Sequence, residues 1–158
     1  MYFPIYIDLS KKDILVVGAG KIAGRRIRTL CEFAGHITVV APDVSAEIRH
    51  LSEKYSISVC QRRFDKDDLD GRFLVFAATD DHELNRYIGE ECRKRKIPVN
   101  VCSDRTLCDF QFPSIVRKDG VVIGVNASGK DHPLVKETRQ KLEQLLKPGE
   151  SEKLYEDS

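Results

Sequence analysis

Five short apolar runs, at residues 14–17, 37–40, 57–60, 73–77 and 98–101, alternate with longer segments whose apolar side chains recur at helical spacing. That alternation constrains the fold more than any other property of the chain. Parallel neighbours need long crossover connections, so strands separated by helices predict a parallel sheet covered on both faces. The runs at 14–17 and 73–77 are apolar throughout, which is how strands buried on both faces read. Residues 21–33 place Ile22, Ile27, Leu30 and Phe33 on one helical side, with Gly35 as the stop. A stripe of Val44, Ile48 and Leu51 ends near Lys54, one helical turn is expected at 65–69, and Leu84, Tyr87 and Ile88 lead a helix to Lys94. The expected architecture is α/β and Rossmann-type, with strand order 3-2-1-4-5 and right-handed crossovers.

Past residue 101 the rhythm changes. Two strand-like runs, 110–116 and 121–125, flank Arg117-Lys118-Asp119-Gly120, whose Asp-Gly pair reads as a β-hairpin turn. Pro133 then opens a helix with Leu134, Thr138, Leu142, Leu145 and Leu146 along one side, closed by Pro148-Gly149. The expected division is a main domain at 1–110, a hairpin-plus-helix segment at 111–148, and a polar, disordered tail at 149–158. An apolar stripe on the last helix of so short a chain calls for a partner surface, so the segment is expected to build a homodimer.

Composition excludes several classes. With 26 basic and 25 acidic residues the net charge is +1, which gives no general attraction to nucleic acid or anionic membranes. Any polyanionic ligand must be met by a local basic cluster. No run approaches the roughly 20 apolar residues of a bilayer span, and the start at Met1 lacks a basic-then-apolar leader, so a cytoplasmic location is expected. Cys31, Cys60, Cys92, Cys102 and Cys108 are odd in number and scattered, without the spacing of a disulfide frame or a zinc site. They read as small hydrophobes.

Gly18-Ala19-Gly20-Lys21-Ile22-Ala23 is a G-x-G-x-x-A sequence between an expected strand and an expected helix, which is where a dinucleotide pyrophosphate rests. Gly18 permits the tight turn, Gly20 admits the phosphate to the backbone N–H groups of Lys21 and Ile22, and Ala23 lets the helix approach the strand. Asp43, two residues past the second strand, is placed to bond adenosine ribose hydroxyls and so to favour NAD over NADP, or else to cap the next helix. Ala78-Thr79-Asp80-Asp81 ends the fourth strand at the topological switch point, with Thr79 expected to face ligand and the aspartates to cap. Ser103 and Asp104 follow the fifth strand at the same sheet edge. A carboxylate there suits the proton that must leave when a hydride goes to NAD; the other reading of Asp104 is a solvated acid paired with Arg105. Cys102, Cys108, Asp104 and Asp109 lack histidine and ligand spacing, so no metal site is expected. His82 and His132 read as surface residues at helix starts.

Taken together these motifs resemble the precorrin-2 dehydrogenases, a family also found as the amino-terminal part of siroheme synthases. The matching stretches are Phe3-Pro4-Ile5, Val16-Val17-Gly18-Ala19-Gly20, Ala77-Ala78-Thr79-Asp80-Asp81, Val99-Asn100-Val101, Leu107-Cys108-Asp109-Phe110, Phe112-Pro113-Ser114 and Ser128-Gly129 before Pro133. The resemblance implies NAD-dependent oxidation of precorrin-2 to sirohydrochlorin by a homodimer, with iron insertion at the same site in bifunctional relatives. Precorrin-2 is a polycarboxylate, which gives basic residues such as Arg25, Arg105 or Lys130 a use, although Arg25 and Arg26 also read as a solvated helix face. The catalytic aspartate implied by the resemblance falls on Ser103, and Asp104 matches a second acid found in some members. The helical module that usually follows the last helix is not among these 158 residues, which bears on tetrapyrrole affinity and on iron insertion.

Two other readings compete. A non-catalytic NAD-sensing regulatory domain would share the glycine turn and the switch loop but not the Cys108-Asp109-Phe110 loop or the hairpin. A ferrochelatase alone would need metal ligands that the sequence supplies poorly.

Overall fold

The computed structural model describes residues 2–128 and 131–146. Lys130, the expected helix end at Pro148-Gly149 and the expected tail lie outside these residues. The chain falls into two compact units, Tyr6–Phe110 and a second that joins the described residues before Tyr6 to those from Gln111 onward.

In the first unit the order is β1 (Asp13–Val17), α1 (Lys21–Leu30), β2 (His36–Val40), α2 (Ala46–Lys54), β3 (Ile57–Cys60), a 3-10 turn (Lys66–Leu69), β4 (Leu74–Ala77), α3 (His82–Lys94), β5 (Val99–Val101) and a second 3-10 turn (Arg105–Leu107). The strands form one parallel sheet in the order β3-β2-β1-β4-β5, as the sequence predicts. Strand alternation divides the core in two. Leu15, Val17, Val40, Val75, Ala77, Val99 and Val101 pack with Leu69 and with Ile88 and Cys92 of α3. The intervening residues Ile14, Val16, Ile37, Val39 and Phe76 are also buried, as are Ala23, Ile27 and Leu30 of α1 and Ile48 of α2. Each fully buried aliphatic side chain contributes about 1.5–3 kcal/mol through apolar surface removed from water.

The element ends differ from the sequence reading for local reasons. Helix α1 stops at Leu30 rather than Phe33, and Ala34 N–H donates back to Leu30 O at 2.8 Å. Gly35 does more than stop a helix, since a Cβ there would lie 1.9 Å from the carbonyl oxygen of Ser10. Helix α2 starts at Ala46 because Ser45 Oγ accepts from Ile48 N–H, leaving Asp43 and Val44 ahead of the helix.

Strand β5 ends the sheet, and residues 108–110 cover its open edge. Asp109 N–H donates to Val99 O, Val99 N–H to Asp109 Oδ2, Val101 N–H to Cys108 Sγ, and Asn100 Nδ2 to Phe110 O, at 2.9, 2.9, 3.2 and 2.8 Å. Side chains here stand in for a sixth strand and blunt an edge that would otherwise invite pairing.

In the second unit β6 (Ser114–Lys118) and β7 (Val121–Val125) pair antiparallel, and α4 (His132–Leu145) follows. Asp119 at φ +50° and Gly120 at φ +81° supply the two left-handed residues of a tight hairpin turn. The first strand starts at Ser114, not at Phe110, since Pro113 lacks an N–H to donate. Asp131 Oδ1 caps α4 by accepting from Leu134 N–H at 2.8 Å, and Lys118 Nζ donates to Leu146 O at its other end. No residue of α4 is buried, and Leu134 and Leu145 are more than half exposed. No helix among the described residues is long and apolar enough to cross a membrane.

Candidate functional site

The crevice lies at the carboxyl edge of the parallel sheet, where the turns leaving β1, β4 and β5 meet α1 and α3. Gly18 sits at φ +108°, and its N–H donates to Val40 O at 2.9 Å. A Cβ at this position would come within 2.4 Å of the Ala78 carbonyl oxygen, so only glycine fits between the ends of β2 and β4. Gly20 differs. It is the N-cap of α1, extended and without a side-chain cap, and a Cβ built on it meets nothing within 4 Å. No acidic residue occupies the first turn. The first N–H groups of α1, those of Lys21 and Ile22 included, therefore have no side-chain acceptor and sit at the positive end of the helix dipole.

The turn after β4 is tied to the turn after β5 by one residue that sequence reasoning missed. Asn85 of α3 is fully buried. Its Oδ1 accepts from Thr79 N–H at 3.1 Å and from Thr79 Oγ1 at 2.7 Å, while its Nδ2 donates to Thr79 O at 2.9 Å and to Ser103 Oγ at 3.3 Å. Thr79 Oγ1 also accepts from Asp81 N–H at 3.2 Å, so the hydroxyl expected to face ligand gives its proton to the protein. Asp81 caps α3, its Oδ1 accepting from Leu84 N–H at 3.0 Å. The signal for Asn85 is its place one helical turn before Ile88 and Gly89 and two before Cys92, all buried, where a polar residue needs partners.

Asp104 turns back on its own segment. Its Oδ1 accepts from Thr106 N–H at 2.8 Å and Thr106 Oγ1 at 2.6 Å, capping the second 3-10 turn, and no described residue binds Oδ2. These bonds, led by that from the Thr106 hydroxyl, hold the carboxyl below the usual aspartate value of 3.8. Asp43 is exposed in the turn after β2, with no hydrogen bond or ion pair among the described residues. Arg26 is not on a solvated face: it stacks 5.6 Å from the Phe76 ring and donates to Asn100 Oδ1 at 2.6 Å, and burial lowers its pKa. Arg25 is exposed. Burial pushes the Cys92 thiol up to about 12 and raises those of Cys102 and Cys108.

The second unit holds a cavity of about 340 Å³ whose lining includes Gln111, Asn126, Asp131, His132, Lys136 and Arg139. Its lining sets the cations Lys136 and Arg139 beside the Asp131 carboxylate and the apolar Phe112, Val125 and Val135.

A glycine turn leading to an uncapped helix is the geometry of a nucleotide site, and the sequence profile described as "Putative NAD(P)-binding" matches residues 5–114. The chain belongs to this NAD(P)-binding family. Within the family it is similar to siroheme synthase of Psychrobacter sp. (strain PRwf-1), 37% identical over 147 residues, which cover 93% of this chain and 30% of that protein. It is likewise 39% identical over 145 residues to siroheme synthase 1 of Serratia proteamaculans (strain 568), covering 92% of this chain and 30% of that protein. The chain thus spans about a third of the length of these relatives. Among solved structures it superposes on SirC, a precorrin-2 dehydrogenase, with a TM-score of 0.77 and 29% identity over 98% of this chain and 75% of that one. The fold inferred from the strand and helix pattern is that of this structure, hairpin and last helix included.

Proposed function

We propose that the chain is an NAD-dependent precorrin-2 dehydrogenase that forms sirohydrochlorin. The observation that carries the reading is the N-terminus of α1 at Gly20, which has no side-chain cap and open space beside it, and so fits a pyrophosphate. The substrate assignment draws on the likeness of this chain to SirC and to siroheme synthases over nearly its whole length.

Gly18 shapes the turn, Gly20, Lys21 and Ile22 hold the pyrophosphate through backbone N–H groups, and Asp43 takes the ribose hydroxyls. The Thr79 turn bounds the crevice at the switch point. NAD, when bound, supplies the hydride acceptor. Dehydrogenation of a carbon–carbon or carbon–nitrogen unit gives one hydride to NAD and one proton to a base, yielding NADH and H⁺. Asp104 is the acceptor: Thr106 fixes its Oδ1, leaving Oδ2 open for the proton. Ser103 precedes it at the same turn.

The hairpin and α4 build a homodimer, supported by a helix that buries none of its apolar stripe within its own chain. Light scattering at twice the chain mass is expected, and a monomer would contradict this part. Purified protein mixed with precorrin-2 and NAD is expected to form NADH and sirohydrochlorin in equal amounts. NAD binding without turnover would favour an NAD-sensing domain instead.

A further inference from the structure

The Asn85 amide has all four of its hydrogen-bonding positions filled, and this fixes which way it faces. Turning the group over would set its NH₂ against the Thr79 N–H and its oxygen against the Thr79 carbonyl, two repulsive contacts in a fully buried place. The oxygen must therefore serve the Thr79 N–H, and the NH₂ must serve the Thr79 carbonyl. Its remaining hydrogen then points at Ser103 Oγ. A serine whose oxygen accepts from a fixed donor directs its own hydrogen elsewhere, and among the described residues no acceptor takes it. Ser103 is itself exposed at the crevice.

We propose that Asn85 is a positioning residue that makes Ser103 a hydrogen-bond donor to the substrate and not the acceptor of its proton. The inference rests on the dehydrogenase reading above and separates the two residues that the sequence leaves in competition. Ser103 gives a hydrogen to an anionic or carbonyl oxygen of the substrate. Asp104, which has only acceptor atoms, receives the proton. The chain thereby couples the two turns that line the crevice, since the amide that orients Ser103 also sets the backbone of Thr79.

The test is a double-substitution cycle on the full chain, with kcat/KM read from NADH formation with precorrin-2. Asn85→Asp keeps the acceptor for the Thr79 N–H but replaces the NH₂ with a carboxylate oxygen, which loses the bond to the Thr79 carbonyl and draws the Ser103 hydrogen inward. Asn85→Asp and Ser103→Ala are each expected to lower kcat/KM by about tenfold, the scale of one lost hydrogen bond to a charged group. Combining them is expected to cost no more than either alone, because both remove the same bond to substrate. Additive losses, or a silent Ser103→Ala, would overturn the proposal while leaving the dehydrogenase reading intact. An inactive unsubstituted chain would instead defeat that reading. The local geometry has its own measurement, independent of turnover and of whether Asn85→Asp folds. In Ser103→Ala, one Asn85 side-chain amide proton should move upfield in the NMR spectrum while its partner stays with Thr79. If both protons keep their positions, the Asn85 to Ser103 bond is absent and the inference fails.

Discussion

Helices α1 and α3 leave the same edge of one sheet, yet their first turns are finished in opposite ways. At α3 the protein supplies its own partners: Asp81 caps the helix, and Asn85 saturates the backbone of Thr79. At α1 the cap is Gly20, with no side chain to accept a hydrogen bond and open space where one would be. Helices α2 and α4 follow the α3 pattern, with Ser45 and Asp131 as caps. The proposed pyrophosphate site is thus the one helix start left without a side-chain cap among the four described helices, and its dipole and N–H groups suit an anion. The two glycines divide the labour: Gly18 builds the turn and Gly20 leaves it open.

Substitutions that exchange these treatments give graded effects. Gly18→Ala should be the most damaging. It forces a Cβ into a left-handed residue and against the β4 backbone, and we expect a loss of about 3 kcal/mol or more in urea unfolding. Gly20→Ala should leave stability within about 1 kcal/mol, the scale of a poorer N-cap. It should weaken NAD at least tenfold by titration calorimetry, about 1.4 kcal/mol, because the methyl occupies the space beside the phosphate. If Gly20→Ala binds NAD normally, the contrast between the two helix starts loses its meaning. Asp81→Ala should reverse that pattern, costing about 1 kcal/mol of stability as a lost cap while NAD affinity is unchanged.

The smallest expected effect concerns Asp104. Its carboxyl is held below 3.8 chiefly by the Thr106 hydroxyl, so Thr106→Val should raise its pKa toward that ordinary value. A side-chain carbon titration would show the shift. The sign for stability follows: a depressed folded value means the contribution is present above the unfolded pKa and is lost as pH falls through the folded one, below 3.8. Thr106→Val should therefore lower stability at neutral pH, leave it unchanged well below pH 3.8, and so flatten the acid end of the stability curve. An unshifted Asp104 would show that the Thr106 bonds do not control it.

The parallel sheet was legible because short, mostly apolar runs between helical stripes have few other solutions, and the strand order came with them. The glycine turn was legible because its requirements are local. Gly35 was read for its effect on the helix before it, whereas its reason is the Ser10 carbonyl from the preceding chain. The Cys108-Asp109-Phe110 loop is one of the stretches that carry the family resemblance, and the sequence assigns it no structural role. In the structure it covers the edge of β5, with the Cys108 and Asp109 side chains bonding to the strand's backbone. Asn85 stayed hidden because its meaning depends on Ser103, far along the chain, and no local pattern joins the two. Arg26 was misplaced for a similar reason, since only the fold sets it against Phe76 and Asn100.

The contrast between the two helix starts is most directly tested by titrating NAD into the isotope-labelled chain and following backbone amide shifts. The account predicts that the amides of Gly20, Lys21, Ile22 and Ala23 move most, while those of His82, Glu83 and Leu84 stay nearly fixed behind the Asp81 cap. Large shifts at the start of α3 with none at the start of α1 would contradict it.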